Sequence, residues 1–507
     1  MSTLALTGRT LSLEDVGRVS NAEAAPRVDL APEARRAVAR AREVVERAVA
    51  SGKPVYGVTT GFGRLAEVAI SRERLIDLQR NLIRSHSAGM GRPLPTEAVR
   101  TILLLRANAL ARGQSGCRVE VVLALLDLLN AGIHPVVPEA GSVGASGDLA
   151  PLAHVALALM GEGEVEVGGR TGPAADALRE AGIEPLELRE KEGLALINGT
   201  QATTGLGILA LLRGESAVET AEVAGATTLE ALMGTPEAFR PDVQDARPHP
   251  GQAVSASRLR ALLRSSEIRE FHRHGDPRIQ DAYSLRCMPQ VHGAAREALG
   301  YARRILEIEA NSATDNPLIF PETGEIVSAG NFHAQLVSQA LDLFCIAVAD
   351  LAAISERRIE RLLNPDLSGL PAFLSPEPGL RSGLMILQVT AVDLLSELRV
   401  LSHPVSVDSI STSAAQEDHV AMGLASGRKA LRAVECLERV LGAELLAGAQ
   451  ALEFRRPLRP GEGVERAWIR VRKSVAALDE DRVLNKDLEQ MFELVRTGAL
   501  TLPEEKE

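Results

Sequence analysis

Apolar residues recur at helical spacing along most of this chain. Over residues 36–51 they fall on one face of a helix, and Gly52 follows as a stop signal. Residues 119–130 form a second apolar helix pattern, which ends at Gly132. Residues 332–364 contain neither glycine nor proline, so a continuous helix there would be roughly 50 Å long. Helices of that length usually pack in bundles.

Further helical patterns cover residues 387–402, 420–454 and 482–496. Strand signals, by comparison, are few and short. Residues 164–167 alternate between polar and apolar side chains, and residues 318–327 predict a small hairpin. The pattern therefore predicts a mainly α fold with very little β structure.

The predicted elements divide the chain into two regions. Residues 1–200 are rich in loops, whereas residues 201–507 are predicted to form a long-helix bundle. No repeat and no low-complexity linker separates the two regions, so we expect one continuous structural unit. Because loops on a rigid scaffold carry chemistry, the functional residues are expected where loops interrupt the helical patterns.

The composition is that of a globular protein with an acidic balance. The 507 residues are 45% hydrophobic and 24% charged, with a net charge of −11. Lysines and arginines are interleaved with acids, which argues against a nucleic-acid partner. Four widely spaced cysteines favour free thiols in a reducing compartment. The N-terminus lacks signal-peptide features, and no apolar run approaches the roughly 18 residues of a membrane span. We therefore expect a cytoplasmic protein with no membrane partner.

The segment G-S-V-G-A-S-G-D-L-A-P-L-A-H, residues 141–154, has the glycine spacing of a binding loop. Asp148 stands where a Walker loop needs lysine, and the spacing differs from the dinucleotide fingerprint. A nucleophile elbow is excluded too, because it requires glycine two residues after Ser146. The apolar helix pattern that follows makes Asp148 a candidate N-cap. A capped turn with no chemical role is one interpretation of this loop.

The tripeptide Ala145-Ser146-Gly147 favours a second interpretation. In a tight turn the backbone nitrogen of Gly147 can attack the carbonyl carbon of Ala145, since glycine lacks a Cβ atom and tolerates unusual φ. Loss of water from the ring and loss of the Ser146 hydroxyl would leave an imidazolone with an exocyclic methylene. That group is a strong electrophile, so the loop is a candidate precursor of a cofactor.

Several other blocks accompany this loop along the chain. They are V-Y-G-V-T-T-G-F-G (55–63), N-L-I-R-S-H-S-A-G (81–89), L-I-N-G-T-Q (196–201), Q-D-A-Y-S-L-R-C (280–287), D-N-P-L (315–318), G-N-F-H-A (330–334) and S-T-S-A-A-Q-E-D-H-V (411–420). With these blocks in this order, the chain resembles the histidine ammonia-lyases, a group of aromatic amino acid lyases. The resemblance implies that Ala145-Ser146-Gly147 forms a 4-methylidene-imidazole-5-one prosthetic group autocatalytically, with no external cofactor.

The resemblance also implies roles for two tyrosines and a glutamate. Tyr56 is the implied base for the β-proton, and Tyr283 supports the prosthetic group and the elimination. An unperturbed tyrosine pKa of about 10 makes a poor base unless positive charge or dipoles lower it. Packing in the core is the alternative for both tyrosines. Glu417 completes the implied catalytic set with the three residues of the loop.

Substrate-binding residues follow from the same blocks. Arg286 lies one helical turn from Tyr283 and offers a planar fork for the substrate carboxylate. Asn198 and Gln280 resemble polar groups around the substrate amino and carboxylate groups, and Phe332 resembles an aromatic wall. His86 matches the histidine lyases, as does Glu417. An imidazole and a carboxylate together can pair with the two nitrogens of a substrate imidazole.

These residues predict a carbon–nitrogen lyase that converts L-histidine to trans-urocanate and ammonia, the first step of histidine degradation. The family resemblance implies a homotetramer whose active sites are shared between chains. No histidine pattern suggests a metal, since the chain has no His-Glu-x-x-His sequence. A tyrosine or phenylalanine ammonia-lyase or an aminomutase of the same family remains an alternative, because His86 can also meet a phenol. A fumarase-type lyase and a helical binding protein are the more distant alternatives.

Overall fold

Long helices dominate the computed structural model, which describes residues 3–274, 276 and 278–501. In the described residues the α-helices are α1 (Leu13–Ser20), α2 (Pro32–Ala50), α3 (Leu75–His86), α4 (Thr96–Ala111), α5 (Val119–Ala131), α6 (Leu149–Leu159), α7 (Ala174–Ala181), α8 (Glu192–Ile197), α9 (Gln201–Ala231), α10 (Pro241–Asp245), α11 (Pro250–Leu262), α12 (Glu267–Phe271), α13 (Tyr283–Arg286), α14 (Met288–Ala310), α15 (Gln335–Leu363), α16 (Pro365–Ser368), α17 (Met385–Leu401), α18 (Gly423–Glu453), α19 (Glu462–Ser474) and α20 (Asn485–Arg496). The mainly α prediction is confirmed.

Short strands pair in small separate sheets. The strands are β1 (Thr3–Leu6), β2 (Arg27–Leu30), β3 (Met90–Pro93), β4 (Ile133–Pro135), β5 (Pro138–Ala140), β6 (Glu164–Val167), β7 (Arg170–Pro173), β8 (Leu318–Phe320) and β9 (Glu325–Val327). β1 and β2 are parallel, whereas β3 pairs with β5, β4 with β6, β6 with β7, and β8 with β9 in antiparallel register. The hairpin predicted at 318–327 is confirmed, with Leu318 opposite Val327.

The chain divides into two compact units. The first unit comprises Met1–Leu212, Ala302–Asp342 and Pro404–Leu431. The second comprises Arg213–Tyr301, Leu343–His403 and Arg432–Glu507. Long helices α9, α14, α15 and α18 each contribute residues to both units.

The first unit contains the helix predicted at 119–130 and a second, almost wholly buried helix that was not predicted. α5 ends at Gly132, whose φ of +67° is the left-handed conformation typical of a glycine helix end. α4 is buried over almost its whole length, from Ala98 to Ala111, including Arg106 and Asn108. Fully buried polar side chains require hydrogen-bond partners, and those of α4 have them.

The second unit buries charged groups in hydrogen-bonded networks. Arg358 and Glu444 are both fully buried, and two of their N–O distances are 2.6 and 2.8 Å. The hydroxyls of Thr228 and Ser355 donate to the same carboxylate at 2.8 and 2.6 Å. Removing one partner from such a pair would leave an uncompensated buried charge.

Two helical segments of the described residues are long and strongly apolar. By length and composition alone, the helical segment 192–231 and helix α15 could each cross a membrane. The prediction that no apolar run approaches that length is therefore wrong. The apolar window of the first segment is 100% buried and that of α15 is 56% buried. Burial inside the protein accounts for the apolar composition of the first segment.

Candidate active site

The glycine-rich segment is a tightly turned loop between β5 and α6. Gly144 and Gly147 have φ values of +67° and +76°, in the left-handed region that favours glycine. A Cβ atom on Gly147 would lie 2.5 Å from both the backbone nitrogen and the backbone oxygen of Gly199. The N–H of Asp148 donates to that same carbonyl at 2.7 Å. Because this neighbour is backbone and cannot swing away, only glycine fits at position 147.

Two further segments of the first unit hold the loop through backbone hydrogen bonds. The N–H of Met422 donates to the carbonyl of Val143 at 2.7 Å. The N–H of Ala334 donates to the carbonyl of Gly144 at 3.1 Å. The curvature of the loop is therefore fixed by segments far away in the sequence, just before α15 and α18.

Asp148 occupies the N-cap position of α6, but its side chain makes no capping hydrogen bond there. Its backbone, at φ −96° and ψ +61°, is outside the extended conformation of a usual N-cap. The carboxylate instead accepts from the backbone N–H of Thr203 at 2.7 Å, in the first turn of α9. The prediction that the side chain caps α6 is therefore wrong. Burial raises the pKa of Asp148, and hydrogen bonds from Thr203 and Ser142 oppose that rise.

Ser146 lies between a carboxylate and an amide. Its hydroxyl donates to Oε1 of Glu417 at 2.5 Å. Nδ2 of Asn198 donates to the Ser146 carbonyl oxygen at 2.6 Å. The other oxygen of Glu417, Oε2, accepts from the hydroxyl of Thr412 at 2.6 Å. The hydroxyl and the carbonyl of Ser146 are thus held by residues from the 411–420 and 196–201 blocks, respectively.

The loop that carries Glu417 has an unusual backbone. Thr412 and Glu417 pair in antiparallel fashion, with the N–H of Thr412 donating to the Glu417 carbonyl at 2.9 Å. Between them, Ser413, Ala414 and Ala415 have φ values of +52°, +52° and +64°. Non-glycine residues in this region cost on the order of 1–3 kcal/mol each and cluster at functional sites. The turn between Thr412 and Glu417 is therefore strained.

Asn198 lies at a break between two helices. α8 ends at Ile197 and α9 begins at Gln201. Arg106, fully buried below this break, donates from Nε to the carbonyl of Ala195 at 3.0 Å. Its Nη1 donates to Oε1 of Gln201 at 2.7 Å. The guanidinium thereby fixes both sides of the break, a support that sequence reasoning missed because a lone arginine in an apolar helix gives no signal of its partners.

His86 is the last residue of α3, and its ring is held by the same helix. Nδ1 lies 2.9 Å from the carbonyl oxygen of Leu82 and 3.0 Å from the hydroxyl of Ser85. The Ser85 hydroxyl donates to that same carbonyl at 3.0 Å. Since a carbonyl only accepts, Nδ1 carries a proton. In the neutral ring, Nε2 is then a hydrogen-bond acceptor.

One cleft brings most of the predicted site residues together. A cavity of about 640 Å³ is lined by Tyr56, His86, Ser146, Asn198, Phe332 and Glu417, among others. A second cavity of about 460 Å³ shares four of these residues and adds Ala145. The hydroxyl of Tyr56 accepts from the N–H of Gly63 at 3.4 Å. All the lining residues belong to the first unit.

A pair of histidines next to Phe332 was not predicted as part of the site. Nε2 of His333 donates to the carbonyl oxygen of His419 at 3.2 Å. The two rings stack with centroids 5.8 Å apart and an interplanar angle of 7°. This contact joins the G-N-F-H-A segment to the segment that carries Glu417.

Three predicted residues belong to the second unit and do not line either cavity. Tyr283 and Arg286 do share one helical turn, as their spacing predicts, because they are the ends of α13. The Arg286 guanidinium lies 4.5 Å from the centroid of the Tyr283 ring. Tyr283 is 70% exposed, and Gln280 is exposed as well.

No metal centre accompanies the cleft in the part of the chain that the structure describes. Among those residues, no group of three or more His, Cys, Asp and Glu side chains could hold a metal ion. The chemistry available in the cleft is that of a constrained Ala-Ser-Gly loop, a carboxylate, an imidazole and a phenol.

A long-helix fold with this serine loop and this cleft defines a class of lyase. Residues 11–473 match the aromatic amino acid lyase family, and the chain belongs to that family.

Known relatives agree along the whole chain. A histidine ammonia-lyase from Anaeromyxobacter sp. (strain K) is 54% identical over 99% of this chain and 100% of its own length. One from Myxococcus xanthus is 52% identical over 98% of this chain and 97% of its own. The solved structure of histidine ammonia-lyase from Trypanosoma cruzi superposes with a TM-score of 0.92 at 45% identity, covering 98% of this chain and 94% of that one. Tyrosine aminomutase from Streptomyces globisporus superposes with a TM-score of 0.94 at 40% identity, covering 98% of each.

Proposed function

We propose that this protein is a carbon–nitrogen lyase that deaminates L-histidine to trans-urocanate and ammonia without oxidation. The observation that carries the proposal is the cleft in which the Ser146–Glu417 contact meets Tyr56 and His86. The cleft thus combines a precursor of an electrophile, a candidate base and groups that match an imidazole. The identity of 52–54% to histidine ammonia-lyases over nearly the full chain supports the same reaction.

The electrophile is a 4-methylidene-imidazole-5-one formed from Ala145-Ser146-Gly147, with no external cofactor. The loop fits such a group, because a Cβ on Gly147 would overlap the backbone of Gly199 and the tight left-handed turn suits ring closure. When formed, the group supplies a methylidene carbon that accepts electrons from the substrate. Asn198 would hold the group, since its Nδ2 donates to the Ser146 carbonyl oxygen, which the ring would retain.

The side chains around the loop bind the substrate and move its proton. Tyr56 is the base that removes the β-proton, and the Gly63 N–H donates to its hydroxyl at 3.4 Å, which orients the phenol in the cleft. His86 and Glu417 bind the substrate imidazole, with Nε2 of His86 accepting an N–H. Phe332 forms an aromatic wall of the cleft.

The remaining predicted residues come from neighbouring copies in a homotetramer. Gln280, Tyr283 and Arg286 bind the substrate carboxylate and support the elimination in an active site shared between chains. Exposed apolar residues on α17 support assembly: Ile386 is 61%, Val389 59% and Val400 74% exposed. Large exposed apolar patches mark interaction surfaces. We expect a tetramer in sedimentation, and a monomer active at full rate would contradict the shared site.

We also propose a cytoplasmic location. The thiols of Cys117, Cys287 and Cys436 are free. Free thiols are typical of proteins kept in a reducing compartment.

The substrate is tested by direct assay of the purified enzyme. We expect urocanate from L-histidine, with far slower formation of cinnamates or β-amino acids from L-tyrosine and L-phenylalanine.

Intact mass tests the prosthetic group: the protein should be two waters lighter than its encoded sequence. Ser146→Ala should abolish both the mass deficit and the activity. An active protein with the full encoded mass would contradict the proposal.

A tyrosine lyase or aminomutase is the second candidate. It is favoured by the superposition with tyrosine aminomutase and by the ability of His86 to bond a phenol. Glu417 favours histidine, since a carboxylate pairs with an imidazole N–H. Turnover of tyrosine with histidine inert would establish the second candidate instead.

A further inference from the structure

The shortest polar contact of the cleft joins Ser146 directly to Glu417, a residue proposed above to bind the substrate. The hydroxyl of Ser146 donates to Oε1 of Glu417 at 2.5 Å. The Thr412 hydroxyl holds the other oxygen, Oε2, at 2.6 Å. The carboxylate is therefore fixed in position and aimed at Oγ, the atom that must leave if Ser146 is to become a methylidene group.

Loss of that hydroxyl is a balanced elimination of water. The Cα hydrogen of Ser146 leaves as a proton, and its electron pair forms the Cα–Cβ double bond. The Cβ–Oγ bond breaks, and Oγ takes up one proton to depart as water. Hydroxide is a poor leaving group, so the step is accelerated by an acid within hydrogen-bond reach of Oγ.

A second contact stabilises the charge that develops in the same step. Removal of the Cα proton delocalises negative charge onto the Ser146 carbonyl oxygen. Nδ2 of Asn198 already donates to that oxygen at 2.6 Å. A donor preorganised on a developing oxyanion lowers the barrier, as in an oxyanion hole. The contact with Glu417 thus lies at the leaving hydroxyl, and the contact with Asn198 lies at the oxygen that takes up the negative charge.

We propose that Glu417 is the general acid that protonates Oγ of Ser146 during maturation of the prosthetic group. In the structure the carboxylate accepts from Oγ; when the carboxyl carries a proton on Oε1, this hydrogen bond reverses and the proton passes to Oγ as the Cβ–Oγ bond breaks. The proton released from Cα passes to solvent, and solvent returns one proton to the carboxyl. This inference rests on the proposed function, since it assumes that the loop matures.

A consequence is that one carboxylate serves two reactions in turn. Once Oγ has departed, Oε1 of Glu417 loses its hydrogen-bond partner and becomes available to the substrate. The strained turn at Ser413–Ala415 holds Glu417 in place for both reactions.

The experiment follows maturation by intact mass over time after cell-free synthesis of the full chain. Glu417→Gln keeps the shape of the side chain but removes the transferable proton. We expect it to reach the two-water deficit at least ~100-fold more slowly than wild type, the range for a lost general acid. Thr412→Val removes the hydrogen bond that holds the carboxylate. It should slow the loss of the Ser146 hydroxyl as water, the second of the two water losses, about tenfold, which is the effect of one lost hydrogen bond. Asp418→Asn, an exposed neighbouring carboxylate, should mature at the wild-type rate.

Rescue separates chemistry from folding. Glu417→Ala leaves space for a small acid, so added formate should restore the second water loss, whereas chloride should not. Maturation of Glu417→Gln and Thr412→Val at the wild-type rate would overturn the inference and leave the proposed function intact. A wild-type protein that never becomes lighter would instead overturn the prosthetic group itself.

Discussion

The carboxylate of Asp148 accepts a hydrogen bond from the backbone N–H of Thr203 at 2.7 Å, and from the Thr203 hydroxyl at 2.9 Å. A residue next to the reactive loop thereby satisfies the first turn of α9, which begins 53 positions later at Gln201 (201 minus 148). The N-terminal N–H groups of a helix lack partners within the helix, so an acceptor there is stabilising. The loop and the long helix are thus joined by one buried carboxylate.

Replacing Asp148 should therefore destabilise the protein in a graded way. Asp148→Asn keeps one acceptor oxygen and should cost about 1–3 kcal/mol, whereas Asp148→Ala leaves buried donors unpaired and should cost more. Unfolding in urea, followed by circular dichroism, measures both. Asp176→Asn is the control, since Asp176 is half-exposed and should stay within about 0.5 kcal/mol of wild type. Equal midpoints for Asp148→Ala and the control would show that the hydrogen bonds from Thr203 to Asp148 do not stabilise the protein.

Gly147→Ala should abolish maturation, because its Cβ would lie 2.5 Å from the Gly199 backbone. Gly132→Ala is the matched control: its φ is +67°, close to the +76° of Gly147, but nothing lies within 4 Å of its added Cβ. The control carries the conformational strain alone, about 1–2 kcal/mol. Intact mass should show the full two-water deficit for Gly132→Ala and none for Gly147→Ala. Equal deficits would show that crowding at Gly199 is unimportant.

His86→Leu should shift the substrate preference away from histidine. The leucine leaves a substrate N–H without its acceptor, which costs about 1–3 kcal/mol, or roughly 5–150-fold in kcat/KM. Values of kcat/KM for L-histidine and L-phenylalanine should therefore converge. Ser85→Ala, which removes one contact of Nδ1 but leaves the Leu82 carbonyl, should have a smaller effect. Unchanged histidine turnover by His86→Leu would exclude His86 from the substrate site.

The sequence predicted the helices well, whereas it gave little indication of the long-range hydrogen bonds that hold the cleft residues. The periodicity of residues 332–364 and 119–130, and the absence of helix breakers from them, predict their helices. The left-handed turn at Ser413–Ala415 contains no glycine, so its sequence does not predict positive φ values. Its strain depends on tertiary contacts. The side-chain direction of Asp148 was missed because a helix 53 residues away offers the better donors. Local patterns thus identify elements and motif residues, whereas hydrogen-bond partners depend on the folded chain.

A buried carboxyl in the second unit should make stability depend on pH. Glu230 is only 3% exposed, and it accepts from the Ser266 hydroxyl at 2.8 Å and from the Gly461 N–H at 3.0 Å. Burial raises the pKa of Glu230 from 4.5 to about 7, although both hydrogen bonds oppose the rise. The folded state therefore favours the protonated acid. Its stabilising contribution is fully present below the unfolded pKa and is lost as pH rises through about 7.

Glu230→Gln should remove this dependence, since glutamine is neutral at every pH and keeps an acceptor for Gly461. The stability of the variant relative to wild type should rise between about pH 5 and about pH 8, by up to about 3 kcal/mol at 1.36 kcal/mol per pKa unit. Urea unfolding at the two pH values measures the difference. Glu270→Gln, at a 63%-exposed side chain, controls for removal of a charge and should change stability by less than about 0.5 kcal/mol at both. A difference between Glu230→Gln and wild type that stays constant with pH would show that Glu230 ionises in the folded protein as it does in the unfolded chain.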